Sequence, residues 1–132
     1  MTTDRIPYRG AKSLSAGWNI VETIPISEIG NNTTFTLDIT IQSGNGNNLV
    51  ECCSFIRCIS TYVVSGGVPT NLNKEVLIRR DNNTGGGSSI TLVDGVDYQE
   101  IINGSNEIEI QIDKGSTANT DVSWSIIIVY SI

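Results

Sequence analysis

The chain has no histidine among its 132 residues, and only 17% of them are charged. The first absence excludes Ser-His-Asp and Cys-His nucleophilic constellations, leaving general acid–base work to carboxylates, lysines or tyrosines. Cysteine is scarce too: Cys52, Cys53 and Cys58 form an odd set inside one apolar run. On a straight strand Cys52 and Cys58 would lie about 20 Å apart, at roughly 3.3 Å per residue, beyond disulfide reach. Structural zinc takes four ligands, and three thiols without an imidazole do not supply them, so the cysteines read as reduced core residues. No metal or other cofactor is expected. No run approaches the roughly eighteen apolar residues needed to span a bilayer, and the start, MTTDRIPYRG, lacks a signal peptide's apolar core. Synthesis in the cytoplasm without membrane insertion is the expectation.

What charge there is has an uneven distribution. The net charge is −6, yet residues 1–17 hold Arg5, Arg9 and Lys12 against Asp4, a net of +2, so the body carries −8. An acidic body repels phosphate, and beyond the N-terminus only Arg79-Arg80 offers adjacent cations, so nucleic acid is not an expected partner. Asn-x-Ser/Thr patterns at Asn31, Asn32, Asn82 and Asn103 are those that chance produces in an Asn-rich chain and read as unmodified.

Residues 1–17 contain Pro7, Gly10 and Gly17 and no sustained apolar period, which predicts an extended N-terminal arm. Arg5, Tyr8, Arg9 and Lys12 are its candidate attachment residues. From Trp18 onward the pattern is period two, predicting Trp18, Ile20, Glu22 and Ile24 on one face. Thr34 to Ile41 alternates without exception, and residues 49–64 form a β-branched apolar run that predicts a long or bent strand. A loop is expected at 66–73, then a strand from Lys74 to Arg80. Further strands are expected at 89–93, 98–102, 106–113 and 121–131, with turns at Asp94-Gly95 and Asn103-Gly104. About eight strands with frequent turn signals predict a single all-β domain over residues 18–132, an antiparallel, jelly-roll-like β-sandwich.

Chemistry has few candidates. Glu107, Glu109 and Gln111 share a strand face about 7 Å apart in successive pairs, a spacing compatible with glycosidase carboxylates, but the pattern equally makes a wet acidic face. No catalytic residues are assigned and the chain is not expected to be an enzyme. Loop 81–87 has one acid and no Gly-Lys-Ser/Thr ending, too few acids for a calcium loop and the wrong ending for a phosphate cradle. Trp18, Tyr62, Trp124 and Tyr130 are expected in the core. The last strand is apolar on one face through Val122, Trp124, Ile126, Ile128 and Tyr130. Ile127 and Val129 on its other face, with Ile132, mark a central strand or a subunit interface.

The segment from Val76 onward resembles a module of tailed-bacteriophage fibre and virion-appendage proteins. The resemblance is carried by Ile90-Thr91-Leu92-Val93, the turn Asp94-Gly95-Val96-Asp97-Tyr98, the turn Asn103-Gly104, the strand Ile108-Glu109-Ile110-Gln111-Ile112, and Val122-Ser123-Trp124 through Tyr130. It implies a non-enzymatic virion component, often a homotrimer, attached to capsid or tail proteins or contacting a host surface. The short chain lacks a fibre's repetitive shaft, which favours a capsid-decoration or short appendage protein. The alternative is a receptor- or carbohydrate-binding tip that uses loops 44–48, 66–73 and 82–88 against a host glycan or receptor.

Overall fold

A computed structural model of the chain describes residues 3–26, 29–30, 33–43, 55–79, 98–113 and 120–131. They form eight strands: β1 (Thr3–Leu14), β2 (Trp18–Ile24), β3 (Thr34–Ser43), β4 (Phe55–Ser65), β5 (Val68–Arg79), β6 (Tyr98–Ile102), β7 (Ile108–Asp113) and β8 (Thr120–Ser131). The strands make two antiparallel sheets, β1-β8-β3-β4-β5 and β2-β7-β6. The chain is thus an all-β sandwich. β1 pairs with β8, β2 with β7, and β8 also with β3. The N-terminal strands thus pair with the C-terminal ones in both sheets. β3, β4 and β5 then run as a meander that widens the first sheet.

The alternating residues supply the core. Phe35, Leu37, Ile39 and Ile41 of β3 face Ile108, Ile110 and Ile112 of β7 in one buried cluster with Val122, Ile126 and Ile128 of β8. Each such aliphatic side chain contributes about 1.5–3 kcal/mol by leaving water. Phe35 and Tyr62 stack across the β3–β4 pair with ring centroids 5.6 Å apart.

Four expectations are corrected. First, residues 3–14 are not a free arm. They are edge strand β1, paired residue for residue with β8 from Thr3↔Ser131 to Leu14↔Thr120. No apolar period announces this strand, because its inward positions include Gly10, kept bare beneath Trp124, and Lys12, whose Nζ reaches the Ile20 carbonyl at 2.9 Å.

Second, β2 does not keep one face. Its register against β7 shifts between Ile20 and Glu22, and a bulge of this kind reverses which residues point inward. Asn19, Val21 and Ile24 are buried, whereas Trp18 is 41% exposed and so is not a core residue. Asn19 is satisfied where it enters: its Nδ2 donates to the Ser15 and Gly17 carbonyls, each at 2.8 Å, and its Oδ1 accepts from the Ser15 amide at 3.0 Å. This ties down the corner where the chain crosses between sheets.

Third, most of 66–73 is strand rather than loop. Gly66 and Gly67, at φ 61° and 77°, make a tight hairpin turn, and β5 starts at Val68. Positive φ at both central residues is the requirement of the turn type that best matches strand twist. The polar composition of β5 reflects its place at a sheet edge. Fourth, the β6–β7 turn carries its positive φ at Asn106 (58°), not at Gly104, so β7 begins at Ile108 rather than Asn106.

Strand 89–93, turn Asp94-Gly95, loops 44–48 and 82–88, Cys52, Cys53, Asn31, Asn32, Asn82 and Ile132 lie outside the described residues.

Candidate functional site

The most concentrated chemistry lies between the sheets. On β4, alternation aims Cys58, Ser60 and Tyr62 inward, and on β6 it aims Tyr98 and Glu100 toward them. The Glu100 carboxylate accepts from Ser60 Oγ at 2.6 Å and Tyr98 Oη at 2.6 Å on one oxygen, and from Tyr62 Oη at 2.5 Å on the other. The Cys58 thiol lies 3.4 Å from Ser60 Oγ and 3.5 Å from the carboxylate. Three hydroxyls and a thiol thus surround one acid. Burial pushes the Cys58 thiol up to about 12, and the negative field of Glu100 adds to that. Tyr98 is raised well above its ordinary value for the same two reasons in the same order. A thiol held in its neutral form is a poor nucleophile and a poor metal ligand. The hydrogen bonds from Ser60 and Tyr62 to Glu100 join β4 to β6 as a polar staple.

Its sequence signal was present but easily passed over. Cys58-x-Ser60-x-Tyr62 and Tyr98-x-Glu100 each place polar groups on a face that alternation assigns to the core, and a buried hydroxyl or carboxylate needs a partner.

A second polar array covers the outer face of the three-stranded sheet. Gln99 Nε2 donates to Gln111 Oε1 at 2.7 Å, Gln111 Nε2 to Glu109 at 2.8 Å, and Asn103 Nδ2 to both Glu109 and Glu107 at 3.1 Å. The two acids with glycosidase-like spacing are thus joined by a shared amide donor at the β6–β7 turn. Among the described residues, no group of three or more Cys, Asp or Glu side chains is placed to hold a metal.

At the end of the sandwich where Gly66-Gly67 and the β6–β7 turn meet lies a cleft of about 380 Å³. Pro25, Ile26, Ile29 and Val64 form its apolar part and Ser105, Asn106 and Glu107 its polar part.

The attachment residues expected on the arm are not brought together. Tyr8 packs against the core and Lys12 reaches β2, whereas Arg9 is exposed and faces outward beside Ser125. Arg5 is placed by its backbone opposite Val129. Ile127 and Val129 are half-buried on the outer face of the five-stranded sheet, and β8 is an inner strand of that sheet. Of the tip loops, 66–73 contributes the Gly66-Gly67 turn. Asn103, the one glycosylation pattern within the described residues, has its amide engaged by Glu107 and Glu109. Comparison with known proteins gave no significant match to a protein family, to a curated protein or to a solved structure.

Proposed function

We propose that the protein is a non-enzymatic structural component of a virion, a capsid-decoration or short appendage protein that assembles as a homo-oligomer, with a homotrimer as the expected state. The observation that carries this reading is the outer face of the five-stranded sheet. Register aligns Pro7, Ile127, Asp38 and Ile59 in one row across β1, β8, β3 and β4, and Val129, Thr36 and Thr61 in the next. Ile59, Val63, Ile127 and Val129 are only half-buried within the chain, although β-branched side chains on a pleated sheet pack well against a second surface. The same face carries Arg9 and the Arg57–Asp38 pair at 3.1 Å, with Asp38 between Ile127 and Ile59 in their row, so a second copy would meet both signs of charge.

The resemblance of residues 76–132 to phage appendage modules supports the same reading, as does a polar cluster built for cohesion rather than for proton transfer. Partners would be further copies of the chain and the capsid or tail proteins of a particle. Light scattering coupled to gel filtration tests the assembly directly. The native protein is expected to run as an oligomer, and Ile127→Glu and Ile59→Lys as folded monomers. A native monomer at tens of micromolar would overturn the reading.

A further inference from the structure

We infer that the outer face of the three-stranded sheet is a binding platform for a neutral oligosaccharide, with Trp18 as its stacking residue and the Gln99–Gln111–Glu109 array as its hydrogen-bonding part. Three of the five exposed large hydrophobic residues among those described lie on this small face: Trp18 (41%), Ile20 (44%) and Ile101 (39%). Single exposed apolar residues are ordinary, but a concentration of them on a three-stranded face marks contact with something.

The register sets the layout. Trp18 stands opposite Asp113, Ile20 opposite Gln111, and Thr23 opposite Glu109; on the other side Gln99 faces Gln111 and Ile101 faces Glu109. The β2 bulge is what turns Trp18 and Ile20 outward onto this face. Neighbouring strands are about 4.8 Å apart and same-face residues about 7 Å apart along each strand. The indole and the amides therefore lie within the span of a short oligosaccharide.

The chemistry selects the ligand class. A sugar ring offers an apolar C–H face to an aromatic ring and a rim of hydroxyls to planar amides and carboxylates. Here those planar groups are already oriented by one another: Gln99 to Gln111 at 2.7 Å, Gln111 to Glu109 at 2.8 Å, and Asn103 to Glu109 at 3.1 Å. A prearranged set loses little rotamer freedom on binding. Among the described residues the charge is net negative, with Glu109 and Asp113 on the face against the one nearby ammonium of Lys12, which donates to the Ile20 carbonyl. Acceptor-rich and acidic, the face complements hydroxyl donors and repels sialylated, sulfated or phosphorylated glycans. The platform needs only one copy of the chain, so it does not depend on the proposed assembly.

The test uses the full chain on a printed array of neutral and acidic glycans, followed by titration of the strongest neutral glycan while tryptophan emission and acrylamide quenching are recorded. The expected result is selective neutral-glycan binding, with a blue shift and protection of the exposed indole on saturation. Trp18→Ala is expected to raise Kd about tenfold or more, as loss of an aromatic stack would. Gln111→Ala is expected to weaken binding severalfold, and circular dichroism would confirm that both variants fold. No neutral glycan bound at millimolar concentration, binding confined to acidic glycans, or an unchanged Kd in Trp18→Ala would each overturn the inference. Because a monomer would bind as well as an oligomer, failure here is distinct from failure of the assembly.

Discussion

The Tyr62 hydroxyl on β4 donates to the Glu100 carboxylate on β6 at 2.5 Å, joining the five-stranded sheet to the three-stranded one through the core. Ser60 and Tyr98 donate to the other carboxylate oxygen, so three hydroxyl donors depend on a single carboxylate.

Removal of that acceptor is expected to be costly. Hydrogen bonds to a charged partner contribute about 1.5–3 kcal/mol, and donors left unsatisfied in a core add their desolvation cost. Glu100→Ala is expected to lower the unfolding free energy by about 3 kcal/mol or more and Tyr62→Phe by about 1.5 kcal/mol. In urea titrations a double-mutant cycle between the two positions should show clear coupling. Additive single-mutant effects would show that the staple is not an energetic unit.

Much of the sandwich was legible because its central strands obey a two-residue period: Phe35 to Ile41 and Ile108 to Ile112 assign their own inner face. The parts that escaped have local physical reasons. β1 is held by its ladder with β8, so its side chains carry no apolar period to read. The β2 bulge inverts a face midway, which moved Trp18 from expected core to surface. The Glu100 cluster draws its members from strands some forty residues apart, and alternation specifies a face without saying what lies across from it.

Alkaline pH should loosen the same network. The Cys58 thiol is raised from 9.0 to about 12 chiefly by burial, so the folded state holds a proton that the unfolded chain releases above pH 9. The stabilisation is complete below pH 9 and lost progressively as pH rises toward 12; Tyr98, also raised, adds in the same direction. In chemical denaturation, the stability difference between the native chain and Cys58→Ala should be constant from pH 7 to 8.5 and change through this window. A difference independent of pH up to 11 would count against a buried, protonated thiol.

Gly10 is constrained by what lies over it. A Cβ at this position would overlap the ring of Trp124, whose Nε1 donates to Glu22 on the other sheet at 2.8 Å. Gly10→Ala must therefore displace the indole and strain that cross-sheet bond. Overpacking of this kind costs about 1–3 kcal/mol, so thermal unfolding should begin several degrees earlier. An unchanged melting curve would mean that the indole has room to move.

The β6–β7 turn sets two asparagines against each other. Asn106 occupies positive φ at 58° without using a glycine, while Asn103 accepts the Ser105 and Glu107 amides at 2.9 and 3.0 Å and donates to Glu107 and Glu109. At a left-handed position glycine meets no Cβ penalty, whereas a β-branched side chain does. Asn106→Gly should therefore be neutral within about 0.5 kcal/mol, and Asn106→Val should cost about 1–2 kcal/mol. Asn103→Ala should be the most damaging of the three, because it removes the acceptor of two turn amides and the donor that lies between two carboxylates. Denaturant midpoints ranked glycine, then valine, then the Asn103 variant would support this division of roles. If Asn106→Val proved as stable as the native chain, the turn would have to adopt another backbone, and Glu107 and Glu109 would lose the shared donor that holds them together.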